Sequence, residues 1–207
     1  MYDEYVLKNG MRIIGERIGH FRSVSVGVWV GVGAQYEQRE EMGISHFIEH
    51  MLFKGTGKRS SRQISEVMDA VGGQLNAFTA KECTCFYAKV VDEHFRLAMD
   101  VLSDIVLHST FDEAELEKEK GVIVEEINMA EDAPEDLCHE LLMEARYGDQ
   151  PLAWPILGTE GSVRSFDRAK MMGYWRRMYR PERAVLAVAG NYDFGQLIEM
   201  AEEMFGG

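Results

Sequence analysis

Cysteine is nearly missing from the chain, which holds three: Cys83, Cys85 and Cys138. That number is too small, and of the wrong parity, for a disulfide framework. Cys83 and Cys85, two apart, would share one face of a strand, and small apolar residues in a sheet explain them better than a redox or metal pair. Basic residues are also scarce, 22 Lys and Arg against 35 Asp and Glu, for a formal charge of −13. No Lys/Arg cluster is present to meet phosphates, so no nucleic acid partner is expected. The acid excess favours solubility and suits basic peptides as partners. No apolar run approaches the ~18 residues of a membrane span, which argues against a membrane. The opening MYDEYVLKNG lacks the basic start and apolar core of a signal peptide, and it lacks an Arg-rich transit pattern. A cytoplasmic location is therefore expected. Internal repeats, low-complexity tracts and linkers are absent as well.

What the chain does have is the composition of a globule, with 46% apolar and 28% charged residues over 207 positions. A chain of this size can bury roughly 70% of its unfolded surface, so it folds without a staple. Met11 to Ile18 and Ser23 to Val32 read as β-branched strands. Gly43 to Lys54 turns helical and is stopped by Gly55-Thr56-Gly57. Ser60 and Gln63 form a capping-box signature for a helix running to Gly72-Gly73. Gln74 to Val91 reads as one or two strands. Helices are expected at Glu93–Leu107, at Glu113–Ala130 behind an Asp112/Glu115 capping box, and near Phe166–Tyr179. The stretch from Pro134 to Pro155 is mixed, Ala184 to Gly190 is a buried strand, and the sequence ends in or just after a helix. The pattern predicts one α+β domain over residues 1–207, with intermixed strands and helices.

The chemistry concentrates in His46-Phe47-Ile48-Glu49-His50. At ~100° per residue the two imidazoles lie about 40° apart on one helical face, within reach of one metal ion. Glu49 lies about 60° to the other side of His46, near enough to meet a water at such a site without being a ligand. Ile44, Phe47, Ile48, Met51 and Leu52 make the helix apolar and argue that it is buried. Polar groups in that setting must be paired or bind a metal.

A catalytic zinc needs a third protein ligand and an open position. The helix at Glu113–Ala130 has a core stripe of Leu116, Ile123, Ile127 and Ala130. Glu126 and Glu119 flank that stripe on one side, at about 60° and 40° from its centre, whereas Glu125 projects almost opposite. Glutamate-rich helices usually present solvated faces, and Glu113, Glu117 and Glu125 fit that description. His20, His94, His108 and His139 lack partners at ligand spacing, and Trp154, Trp175 and the many methionines read as core. Gly121 weakens its helix by about 1 kcal/mol relative to Ala, which close packing would explain.

HFIEHMLFKGT, followed 76 residues after its second His by the glutamate of EKGVIVEEI, resembles the pitrilysin/insulinase family of zinc peptidases. H-x-x-E-H is the inverzincin motif. The nearest style is that of mitochondrial processing peptidase and its bacterial relatives, and GGQLNAFTAKECTCFY and YRPERAVLAVAGNYD extend the likeness along the chain. The resemblance implies a metallohydrolase domain with Zn2+ held by His46, His50 and Glu126, with Glu49 as general base. It implies that Glu119 supports the site from behind, and that Asn76 and Ala77 lie on the edge that pairs with an extended peptide or unfolded polypeptide. It further implies a second half: family members close two related halves around substrate, and this sequence matches the first. The expected partner is a second half-domain, a second copy or a paired subunit. Two other readings compete, a non-catalytic scaffold subunit of the same family and a metal-dependent small-molecule lyase resembling S-ribosylhomocysteinase. Scaffold subunits commonly lose motif residues that are all present here, and the lyase family uses a cysteine as third ligand.

Overall fold

A computed structural model describes residues 2–207. Its frame is a six-stranded mixed sheet of β1 (Asp3–Val6), β2 (Arg12–Arg17), β3 (Ser23–Val30), β4 (Gln74–Thr79), β5 (Thr84–Val91) and β6 (Ala184–Gly190), in the order β1-β2-β6-β3-β5-β4. Only β2 and β6 run parallel; every other pair is antiparallel. The helices are α1 (Ile44–Leu52), α2 (Ser61–Asp69), α3 (Phe95–His108), α4 (Glu113–Asp132), α5 (Pro134–Tyr147), α6 (Glu160–Ser165), α7 (Arg168–Met178) and α8 (Phe194–Phe205). This is the expected α+β class.

Period-two alternation gives the sheet one dry face. Val24, Val26, Val28 and Val30 of β3 join Phe86, Ala88 and Val90 of β5 and Leu186 and Val188 of β6 in the core. Ile44, Phe47, Ile48, Met51 and Leu52 of α1, with the apolar faces of α3 and α8, complete it. The opposite face keeps a shallow apolar hollow of about 470 Å³ between Tyr2, Trp29, Phe78 and Tyr87.

Most expected boundaries hold to within a few residues. The Ser60–Gln63 box is complete, and Asp112 caps α4 by accepting from the Ala114 and Glu115 N–H groups. The returning half of the second box does not form, because Glu115 pairs with Lys118 instead. Strand β1 and helix α6 were not expected. β1 is a four-residue edge strand that buries almost nothing, so it carries no hydrophobic period. The mixed stretch after Pro134 contains the full helix α5, whose residues are all at least partly exposed.

Four other expectations need correction. Cys83 precedes β5, so it does not share a strand face with Cys85; burial pushes the Cys85 thiol up, to about 12, and keeps it protonated. Met129 is 71% exposed and Trp154 and Trp175 are half-buried, so not all of these residues are core. On α4 the inward stripe includes Val124, while Ala130 is half-buried. Gly121 permits no close approach, since a Cβ there meets nothing within 4 Å. Gly121→Ala is therefore expected to raise stability by about 1 kcal/mol in denaturant unfolding; a loss of stability would mean that the glycine serves some other purpose.

Candidate metal centre

The site forms where α1 crosses α4 and meets β4, the edge strand. His46 and His50 fall on one side of α1 because they are four residues apart, and their ring centroids stand 4.6 Å apart. Glu126 approaches from α4, with Oε2 3.5 Å from His50 Nε2 and 3.7 Å from His46 Nε2. Ligand atoms of these three residues lie within 4.8 Å of one another, the single such group among the described residues. Bonds of ~2.0–2.1 Å in tetrahedral geometry space ligand atoms by about 3.3–3.5 Å, close to the two separations of Glu126 from the histidines.

Two further observations fit a dication. Glu126 Oε2 is buried with no hydrogen-bond partner, a costly state for a carboxylate oxygen without a cation. Glu49, Glu119 and Glu126 converge on a site whose bonded lysine is Lys54 alone, which leaves negative charge for an ion to balance.

The surrounding groups set tautomer and orientation. Glu119, expected to support the site, is 5% exposed on α4 and places Oε2 3.0 Å from His50 Nδ1. Its other oxygen accepts from Lys54 Nζ at 2.8 Å. Burial pushes the Glu119 carboxyl up, but the hydrogen bonds from His50 and Lys54 outweigh burial and hold it below its ordinary range. An ionised carboxylate there accepts a hydrogen bond from the His50 Nδ1–H, the tautomer that turns the Nε2 lone pair toward Glu126. Burial pulls His46 down, to about 4, and the charge of His50 adds to the effect, so His46 is neutral and able to ligate. Burial also lowers His50, yet the Glu119 hydrogen bond and three carboxylate charges raise it overall.

Glu49 sits on the β4 side of α1, where the Thr79 hydroxyl donates to its Oε2 at 2.5 Å. Burial raises the Glu49 carboxyl above the usual carboxylate range, against the pull of Thr79 and His50. Asn76 and Ala77 lie on β4 three and two residues before Thr79, and β4 has a neighbour, β5, on one side only. The Ala77 N–H donates to the Asn76 side-chain oxygen at 2.9 Å instead of to a strand. The structure thus brings together His46, His50, Glu126, Glu119 and Glu49, and places Asn76 and Ala77 on the adjoining edge. Sequence reasoning missed Thr79 and Lys54. Both lie inside the stretches that carried the resemblance, but their partners are 30 and 65 residues away.

His20, His108 and His139 are exposed and His94 is half-buried, and none joins a ligand group among the described residues. Cys138 is exposed on α5 and takes no part in the ligand set.

Fold and site define an α+β domain that presents a two-histidine, one-glutamate ligand set beside a free strand edge. The chain belongs to the insulinase family, peptidase family M16, whose model matches residues 13–160; a second model, the peptidase M16 inactive domain, matches residues 165–207. Among curated relatives it is 52% identical over 206 residues to an uncharacterized zinc protease, YmxG, of Bacillus subtilis (strain 168), covering 100% of this chain and 50% of the relative. It is 44% identical over 200 residues to an uncharacterized zinc protease of Mycobacterium leprae (strain TN), covering 97% and 45% respectively. The crystal structure of a protease from Helicobacter pylori superposes with a TM-score of 0.95 at 21% identity, over 100% of this chain and 50% of that one. A peptidase M16 inactive domain from Pseudomonas fluorescens superposes at 0.91 with 15% identity, over 99% and 50%. At such identities the two structures establish the fold alone. The chain spans about half the length of the curated relatives it matches. No helix among the described residues is long and apolar enough to cross a membrane.

Proposed function

We propose that residues 1–207 form the zinc-binding catalytic half of a metalloendopeptidase that hydrolyses peptides or unfolded polypeptides. The observation that carries this reading is the complete set His46, His50 and Glu126, with an orphaned carboxylate oxygen at its centre and Glu49 alongside. When bound, a zinc ion supplies Lewis acidity, polarising a carbonyl and acidifying water.

The protein's own groups do the rest. Glu119 keeps His50 in the ligating tautomer, and Lys54 keeps Glu119 ionised. Glu49 accepts the proton of the attacking water and returns it to the leaving amine, with Thr79 fixing the orientation of its carboxylate. The free edge of β4 at Asn76 and Ala77 pairs with an extended substrate once the Asn76 side chain releases the Ala77 N–H. A second half, supplied by the same polypeptide, a second copy or a paired subunit, would close the substrate chamber. The length of the relatives supports that arrangement.

Neither competing reading gains a residue here. The third position is held by Glu126 and not by a cysteine, unlike the lyase. The inactive-domain match covers 165–207 and includes no member of the ligand set.

The test pairs elemental analysis of the purified chain with a peptide hydrolysis assay, run with and without added second-half protein. About one zinc per chain, with hydrolysis in either form, is the expected result. Absence of zinc after metal-replete purification would sink the reading.

A further inference from the structure

Helix α1 begins without a side-chain cap of its own. Its N-cap is Gly43, left-handed at φ 88°, which offers no oxygen to the N–H groups of the first turn. Glu37 supplies the missing acceptors from six residues upstream. One carboxylate oxygen accepts from the Gly43 N–H and the other from the Ser45 N–H, both at 2.8 Å. Glu37 is 3% exposed, a depth at which carboxylates are rare, and its bonded partners are helix N–H groups rather than a cation.

The segment that presents Glu37 is itself held. Just before it, the Ala34 and Gln35 N–H groups donate to the carbonyls of Ala80 and Lys81, in the turn that follows Thr79. On the other side of the helix start, the backbone of Gly43 touches that of Leu157 and Gly158. A Cβ on Gly43 would meet the Leu157 carbonyl oxygen at 2.5 Å. Ser45, whose N–H is taken by Glu37, also bonds through Oγ to Tyr174 of α7 at 3.1 Å. The first turn of α1, which carries His46, is thus gripped by a buried carboxylate that never reaches the metal position.

We propose that Glu37 is a positioning residue of the metal centre: its carboxylate fixes the first turn of α1 and thereby the direction in which His46, Glu49 and His50 project. The proposal rests on His46 and His50 being metal ligands. Protonation energetics support a positional role. Burial pushes the Glu37 carboxyl up from 4.5, to about 7, against the pull of the Ser45 and Gly43 hydrogen bonds, with Glu41 adding to the rise. Lys81, Tyr174 and Tyr179 also lie within its field. A carboxyl raised in this way contributes stability below pH 4.5 that is lost as the pH rises through about 7.

The probe is Co2+, whose visible absorption reports the geometry of its ligands. Glu37→Gln keeps the side-chain shape but turns one acceptor into a donor facing an N–H. It is expected to fold, to bind Co2+ about 10–100-fold more weakly with a weaker visible band, and to exchange the Gly43 and Ser45 amides faster in the metal-free chain. Glu37→Asp keeps the charge, withdraws it by one methylene and decides the matter if Glu37→Gln does not fold. Leu197→Ala, in the core on α8, is the control: it should lose stability with Co2+ affinity and spectrum intact. Parent-like Co2+ binding and spectrum in the folded variant overturn the proposal alone, as does unchanged exchange at Gly43 and Ser45. A parent chain that takes up no Co2+ overturns the ligand assignment, and this proposal with it.

Discussion

Replacing Glu49 by glutamine is expected to lower peptide hydrolysis by about 10²–10⁴-fold, with zinc content unchanged. The expectation follows from position. Glu49 is next to His50 in sequence, but it projects toward β4, where Thr79 holds it, and it is outside the three-residue ligand set. Glutamine retains shape and can still accept from Thr79, so the helix and the ligand set should survive the exchange. What disappears is the capacity to take a proton. The comparison is made in whichever form hydrolyses peptides, the chain alone or joined to a second half, with zinc measured on the same samples. A variant that retains parental activity would remove Glu49 from the reaction.

His50→Ala should separate metal binding from folding. With free zinc at 100 times its dissociation constant, the parent gains about 2.7 kcal/mol of stability by mass action, and the variant should gain none. The metal-free variant is expected to stay folded. Lys54 still pairs with Glu119 at 2.8 Å, so deleting the imidazole does not strand that buried carboxylate. Denaturant unfolding with and without zinc, together with elemental analysis, reads both effects. An equal zinc-dependent stabilisation of parent and variant would mean that the ion binds elsewhere.

The legible part of this protein was what local period encodes. His46 and His50 are readable because four residues on a helix return to the same face. Glu126 and Glu119 are readable because their helix has an apolar stripe to measure from, and Glu119, the nearer of the two, is buried. The strands of alternating valine declared themselves in the same way. What stayed hidden depends on partners distant in sequence. Thr79 acquires its role only when β4 is laid beside α1. Glu37 has no helical or strand period of its own, and its place at the start of α1 appears only after the 3₁₀ turn ahead of it bends the chain back. β1 was hidden for a different reason: an exposed edge strand buries too little to leave a pattern.

The proposed ligand set draws on two helices, with His50 and Glu126 separated by 76 residues of chain. During synthesis at ~5–20 residues per second, a ribosome needs roughly 4–15 s to pass from one to the other. Throughout that interval the emerging polypeptide holds His46 and His50 without the glutamate that would complete the set. Any opening that parts α4 from α1 also parts Glu126 from the two histidines. On the proposed function, cutting power would therefore belong only to molecules in which both helices have come together.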